Sequence, residues 1–206
     1  ARAISCGEGD IFIAGGVESM SRAPFVFAKS EKAFGRDFKV FDSAIGARFP
    51  NPMIEKQFGD DTMPKTGDNV AVEYGISRED ADVFAAASQA KYEAAKQAGF
   101  FEGEINPVEV AQGRKLPPKL ITVDEHPRPS SNMEALQILK PLFEGGVVTA
   151  GNASGVNDGA AALLIGSAEA EKTLGIRPIA KILASGAAGI EPRIMGAGPV
   201  DAIRLA

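Results

Sequence analysis

The chain has 206 residues, with 22 Lys and Arg against 27 Asp and Glu, a formal net charge of −5 and 45% hydrophobic residues. This mildly acidic, ordinary globular composition supplies no basic footprint for nucleic acid or an anionic membrane. One cysteine, Cys6, and one histidine, His126, exclude an internal disulfide and leave multi-cysteine or His-rich metal sites without ligands. No apolar run approaches the roughly 18 residues of a membrane span, and the first residues lack signal-peptide organisation. The expectation is a cytoplasmic protein.

In chain order, Ala1 to Gly7 reads as the last turns of a helix closed by glycine. Ile11-Phe12-Ile13-Ala14 is an unbroken apolar run between Asp10 and Gly15-Gly16, the pattern of a strand covered on both faces in a parallel sheet. From Val17 to about Asp61 periodicity is weak. Phe25, Phe27, Phe34, Phe38, Phe41 and Phe49 are too many for a solvated linker, so this stretch is expected to pack on its own protein or on a neighbouring subunit. Thr66 is placed to cap a helix through Asn69 to Val72 that ends at Gly75. Ser77-Arg78-Glu79-Asp80 is a capping-box pattern, and Val83, Phe84, Ala87, Ala94 and Ala98 form an apolar stripe ahead of Gly99.

Alternating segments at Ile105–Val110 and Leu120–Val123 flank a basic, Pro-rich turn and predict a small two-stranded element. Met133 to Phe143 predicts a short helix ended by Gly145-Gly146. Ala160 to Ile165 is a second apolar run, Ala168 to Leu174 a polar helix closed by Gly175, and Ile179 to Leu183 a further strand candidate. Strand, helix and strand at this spacing predict a mainly parallel α/β sheet with a mixed insertion between its two parts. Pro199 suits the first turn of a last helix whose amphipathic pattern is unfinished at Ala206; with no Met at the start, both ends read as cut.

Chemistry visible from spacing is sparse. Gly196-Ala197-Gly198 is followed by Pro199 and then Asp201 where a dinucleotide fingerprint needs its third glycine, and no P-loop occurs. Cys6 lies at an apparent helix C-terminus, where the dipole opposes a thiolate, and reads as structural. His126, in Glu125-His126-Pro127-Arg128, reads as a solvated loop residue. Glu18 follows a strand, where α/β enzymes place working groups, but from spacing alone capping a turn or pairing with Arg22 is the favoured reading.

Longer words carry more. Gly15-Gly16-Val17-Glu18-Ser19-Met20-Ser21 resembles the GG(M/V)ESMS segment of thiolases, and Thr149 to Ala161 resembles their TAGNASGxNDGAA segment over thirteen consecutive residues. Asp68-Asn69-Val70-Ala71, Ser77-Arg78-Glu79, Ser88-Gln89 and Glu102–Val108 fall between them in the family order, and Met195-Gly196-Ala197-Gly198-Pro199 follows as MGxGP. The resemblance covers essentially the whole chain. It implies a layered α/β/α/β/α fold of two similar halves, here partial, with an inserted mixed α+β loop domain. Residues 1–16 would end the N-terminal half, 17–146 form the loop domain, 147–175 return to the N-terminal half, and 176–206 open the C-terminal half.

The resemblance also implies the reaction: acyl transfer between a 3-oxoacyl-CoA and coenzyme A through a nucleophilic cysteine, an activating histidine and a second, acid/base cysteine. In the family the nucleophile precedes the position of Ala1, and the Asn-Glu-Ala-Phe asparagine, Gly-His-Pro histidine and second cysteine follow that of Ala206. No catalytic residue and no cofactor beyond the coenzyme A substrate is therefore expected here, and the chain by itself is expected to be inactive. Arg128 matches the family arginine near the adenine end, and Phe143, Ala150, Ser154 and Val156 match residues lining the pantetheine channel, with Met63 and Leu136 at two further pocket positions. Core packing explains Phe143 and Leu136 as well.

Thr62-Met63 stands where many biosynthetic members have His-Met, Ala135 replaces a common pocket serine, and the stretch Ala33 to Asp61 is longer. These departures resemble the degradative 3-oxoadipyl-CoA branch. A fatty-acid β-oxidation or acetoacetyl-CoA thiolase is the enzymatic alternative, and a non-catalytic coenzyme-A-binding or assembly module the other. The family implies a homodimer or homotetramer.

Overall fold

The computed structural model describes residues 1–206, which fall into two units, residues 1–66 with 156–206 and residues 67–155. In the first unit a short helix, α1 (Arg2–Ser5), ends at Cys6 and Gly7, the latter at φ 74°. Strand β1 (Ile11–Glu18) runs past the expected Ala14 and through both glycines. It pairs along its whole length with a strand formed by Gly159–Gly166, from Ile11 opposite Gly166 to Glu18 opposite Gly159. A Cβ on Gly15 would lie 2.7 Å from the carbonyl oxygen of Ala161, so glycine is what lets the strands close there.

This pairing is antiparallel, where the apolar runs predict parallel neighbours. An uninterrupted apolar strand encodes that both faces are to be covered; it does not encode the direction of its partner. Nor does this chain cover those faces: Ile13 and Val17 are each 80% exposed. The expected strand at 179–183 is irregular and joins no sheet, with Ile179 fully exposed.

The aromatic stretch contributes β2 (Phe25–Phe27) and β3 (Val40–Asp42), an antiparallel pair, and α2 (Pro52–Phe58), capped by the Asn51 side chain on Met53 N–H. Phe27 meets Phe38 and Phe41 meets Phe49 edge to face, yet Phe25, Phe34 and Phe38 remain largely exposed.

The second unit opens within α3 (Met63–Tyr74). Thr66 is not the cap of this helix. It lies inside the first turn, buried, and its hydroxyl donates to the Met63 carbonyl at 2.8 Å. Gly75, at φ 66°, ends the helix as expected. Helix α4 (Arg78–Gln97) begins with the capping box: Ser77 accepts from Asp80 N–H, and the Asp80 carboxylate accepts from Ser77 N–H.

The apolar stripe of α4 does not face inward in this unit. Phe84 is 79% exposed, and Val83, Ala87, Ala94 and Ala98 are exposed too, while Asp82 is buried and Ala85, Ala86 and Gln89 are half-buried. The expected two-stranded element is present as β4 (Val108–Val110) and β5 (Lys119–Ile121). Helix α5 (Met133–Gln137) is capped by Asn132 and stops well short of Phe143. Pro141 explains the early stop, since it has no N–H for the Gln137 carbonyl and would clash with it in a continued helix.

Back in the first unit, β6 is the Gly159–Gly166 strand, followed by α6 (Ala168–Leu174), which ends at Gly175 in the left-handed conformation. Ser167 caps α6 and ties it to Asp10, whose side chain accepts from the Ser167 hydroxyl at 2.8 Å. A 3-10 segment, Pro192–Ala197, leads into α7 (Gly198–Leu205), with Pro199 in its first turn. No helix is long and apolar enough to cross a membrane. The chain exposes 16590 Å² at 21.5 kDa, against about 9,200 Å² for a folded monomer of that mass.

Candidate coenzyme A site

The Val147–Asn152 segment is held by buried polar groups of the second unit. One oxygen of the Asp68 carboxylate accepts from the N–H groups of Val147 (2.8 Å) and Val148 (3.0 Å). Asn152 then folds the loop on itself: its side-chain oxygen accepts from Thr149 N–H at 2.7 Å, and its amide nitrogen donates to the Val147 carbonyl at 3.0 Å. The same nitrogen donates to Asp82 at 2.9 Å, and Arg78 Nε donates to the other Asp82 oxygen at 2.7 Å. Arg78 Nη2 reaches the carbonyls of Leu136 and Leu139, at 2.7 and 3.0 Å, and so satisfies the end of α5. Thr149 is fully buried and Asp82 is 1% exposed, so this is a desolvated network, in which the second oxygen of Asp68 is buried without a hydrogen-bond partner.

Above it the chain passes very closely. A Cβ on Gly151 would collide with the methyl carbons of Leu136 and Leu139, and one on Gly146 with the Asp68 carboxylate. The glycines admit the loop; the carboxylates position it. Sequence reading quoted Asp68, Arg78 and Asn152 as family words but assigned them no role, and passed over Asp82. The i,i+4 spacing of Arg78 and Asp82 was the available signal.

Of the seven expected coenzyme A residues, five belong to the second unit. Leu136 lies beneath the loop at 2% exposure, packed under Gly151, while Ala150 and Ser154 are exposed on the loop itself. Phe143 is 38% exposed in a turn closed by Gly145 and by the Leu142 N–H to Val148 carbonyl bond of 2.8 Å. Arg128 is exposed; its backbone N–H donates to the Gln89 side chain on α4 at 2.8 Å, which ties its loop to that helix. Met63 (66% exposed) and Val156 (62%) belong to the first unit.

In the first unit the two signature segments meet. Beyond the β1–β6 ladder, Asp158 accepts from Ser21 N–H at 2.8 Å and from the Ser21 hydroxyl at 2.5 Å. These bonds lower the Asp158 pKa below its ordinary 3.8, the side-chain bond contributing most. A depressed folded value means that the junction is fully held above pH 3.8 and is lost as the pH falls through the folded value. The Ser21 amide resonance should therefore titrate with a midpoint below pH 3.8, and this titration should vanish in Asp158→Asn.

The Glu18 carboxylate accepts from Ser19 N–H at 3.2 Å, the turn-capping role, rather than pairing with Arg22. Cys6 is exposed at the end of α1, and His126 is exposed in its loop. No cluster of three His, Cys, Asp or Glu side chains is arranged to hold a metal.

The second unit is thus a buried polar scaffold carrying a tight Gly-Asn loop, and the first unit holds an antiparallel junction that brings the two signature segments together. The family profile described as the thiolase N-terminal domain matches residues 1–169, and the chain belongs to the thiolase family. It is 55% identical over 204 residues to a beta-ketoadipyl-CoA thiolase of Pseudomonas aeruginosa, covering 98% of this chain and 50% of that protein. To a 3-oxoadipyl-CoA/3-oxo-5,6-dehydrosuberyl-CoA thiolase of Escherichia coli it is 53% identical over 205 residues, 99% of this chain and 51% of the relative. A crystal structure of human mitochondrial 3-ketoacyl-CoA thiolase in complex with CoA superposes with a TM-score of 0.84 at 39% identity, over all of this chain and 50% of that one. The chain thus spans about half the length of the curated relatives it matches.

Proposed function

We propose that this chain supplies the coenzyme-A-facing part of a thiolase that, with the rest of its polypeptide, cleaves 3-oxoadipyl-CoA with coenzyme A to succinyl-CoA and acetyl-CoA in the cytoplasm. The observation that carries this is the 55% identity across 98% of the chain to a beta-ketoadipyl-CoA thiolase. The human 3-ketoacyl-CoA thiolase, at 39% identity, is the more distant relation, which weighs against a fatty-acid substrate.

In this assignment Arg128 meets the adenine end of coenzyme A, where an exposed guanidinium can stack or meet phosphate. Phe143, Val156 and Met63 give apolar contact to the pantetheine arm, and Ala150 and Ser154 present the loop to its amides. Leu136 sets the height of that loop from below. Residues 17–146 form the loop domain inserted in a layered fold of two halves. In the reaction a cysteine thiolate attacks the 3-oxo carbon and the bond between C2 and C3 breaks. The resulting enolate of acetyl-CoA takes a proton, and the succinyl group passes from cysteine to the coenzyme A thiol.

This chain has neither the nucleophile motif nor the histidine motif, so its part is binding and positioning, and by itself it is inactive. The large exposed apolar surface, Ile13 and Val17 included, is where the remaining polypeptide or a second subunit of a dimer or tetramer would pack.

The test compares the full product of the coding region with the 206-residue chain as thiolysis catalysts. The full product should turn over 3-oxoadipyl-CoA, and the chain alone nothing. Preference for long-chain 3-oxoacyl-CoA would reassign the substrate. Turnover by the chain alone, abolished by Cys6→Ala, would overturn the division of roles.

A further inference from the structure

Within the second unit, one face of α4 holds two separate loops. Asp82, on that face, receives the Asn152 amide and so holds the loop that carries Ala150 and Ser154. Gln89 follows about two turns later on the same face, roughly 10 Å along the axis. It is half-buried, and its side-chain oxygen accepts from Arg128 N–H at 2.8 Å. Tyr92, one turn further on and stacked on Phe101 at 5.0 Å, donates its hydroxyl to Asp124 at 3.5 Å. The 124–128 segment thus lies along α4, antiparallel to it and tied at both ends.

Arg128 is pinned at its backbone and free at its head. Its N–H goes to Gln89, and its carbonyl accepts from Ser131 N–H at 3.0 Å. Pro127 and Pro129 flank it, and the second keeps it out of the helical region. Asn132 then closes the turn by capping α5. The guanidinium is exposed and makes no hydrogen bond or ion pair within the chain. A cation on a fixed backbone has only side-chain freedom left to lose when it meets an anion. Gln89 gives its oxygen to the Arg128 backbone, so its effect on a ligand passes through Arg128.

We infer that Gln89 is a positioning residue for coenzyme A. It sets Arg128 at a fixed distance along α4 from the loop that Asp82 holds, and so matches the nucleotide end of the ligand to its pantetheine end. This rests on the assignment of Arg128 to the adenine end made above.

The experiment uses the full product of the coding region with 3-oxoadipyl-CoA saturating. It measures the KM of the acceptor thiol for coenzyme A and for pantetheine, which carries the same thiol and arm but no nucleotide. Gln89→Met, which removes the acceptor and keeps the bulk, should raise KM for coenzyme A by about 2- to 10-fold, the worth of one ordinary hydrogen bond. KM for pantetheine and kcat should hold. Gln89→Glu, which keeps an acceptor, should recover most of the loss. In an Arg128→Ala background Gln89→Met should add nothing, because the two act as one unit.

An equal rise with both acceptors would mean general damage to α4 and would overturn the inference. So would no rise with coenzyme A, or full additivity with Arg128→Ala. If Gln89→Met fails to fold, Gln89→Ala removes the same acceptor with a residue that favours helix, and the same selective rise is required of it. If Arg128→Ala itself does not separate coenzyme A from pantetheine, the adenine-end assignment and this inference fall together. If Arg128→Ala separates them and the Gln89 variants do not, this inference falls alone.

Discussion

Asp82→Ala should destabilise the protein by about 3–5 kcal/mol, the usual loss when one member of a buried ion pair is removed. Asp82 is 1% exposed and receives both Arg78 Nε and the Asn152 amide. Without it the arginine keeps the Leu136 and Leu139 carbonyls but loses its counter-charge, and Asn152 loses one of two acceptors. The damage should spread to the Thr149–Asn157 loop, since Asn152 is what folds it. Far-ultraviolet circular dichroism during urea unfolding reads the effect, because the chain has no tryptophan to report by fluorescence. Asp201→Ala is the control. Its pair with Arg204 has side chains 59% and 76% exposed and should be worth less than about 1 kcal/mol. Equal losses in the two variants would mean that the network does not hold the loop.

Leu136→Ala should cost about 2–5 kcal/mol through the cavity it leaves, and Gly151→Ala about 1–3 kcal/mol through overpacking. The two sites meet, because a Cβ on Gly151 would enter the volume of the Leu136 methyl groups. Leucine ends are flexible in general, but this one is 2% exposed and has nowhere to swing. The double variant should therefore lose less than the sum of the singles, as the new methyl fills part of the space the leucine vacates. Strict additivity would show that the loop does not rest on Leu136. The same series separates the two roles of this residue. As loop support it moves stability together with the apparent affinity for coenzyme A; as a pocket wall it would move affinity alone.

Local signals were legible wherever one residue's chemistry decides the outcome. The Ser77–Asp80 capping box, the left-handed glycines at Gly75 and Gly175, the β4–β5 pair and the bounds of α6 all follow from short-range backbone demands. The signature segments and the candidate coenzyme A residues were legible as words, through resemblance, before any geometry. Failures came where the partner is distant. Thr66 could cap a helix only if the helix began after it, and α3 begins at Met63. The stripe of α4 named an apolar face without saying that, within its unit, the opposite face would carry the buried Asp82.

By itself the sequence determined the family, the two signature segments, the order of the elements and most of their ends, because turns, caps and glycine conformations are settled within a few residues. Only the tertiary structure decided that β1 and β6 run antiparallel, that Asp158 closes on Ser21, and that Asp68 and Asp82 hold the Gly-Asn loop. Each of these joins residues some 70 to 150 positions apart. A backbone or carboxylate group accepts whichever donor folding brings to it, and local pattern does not encode which one that will be.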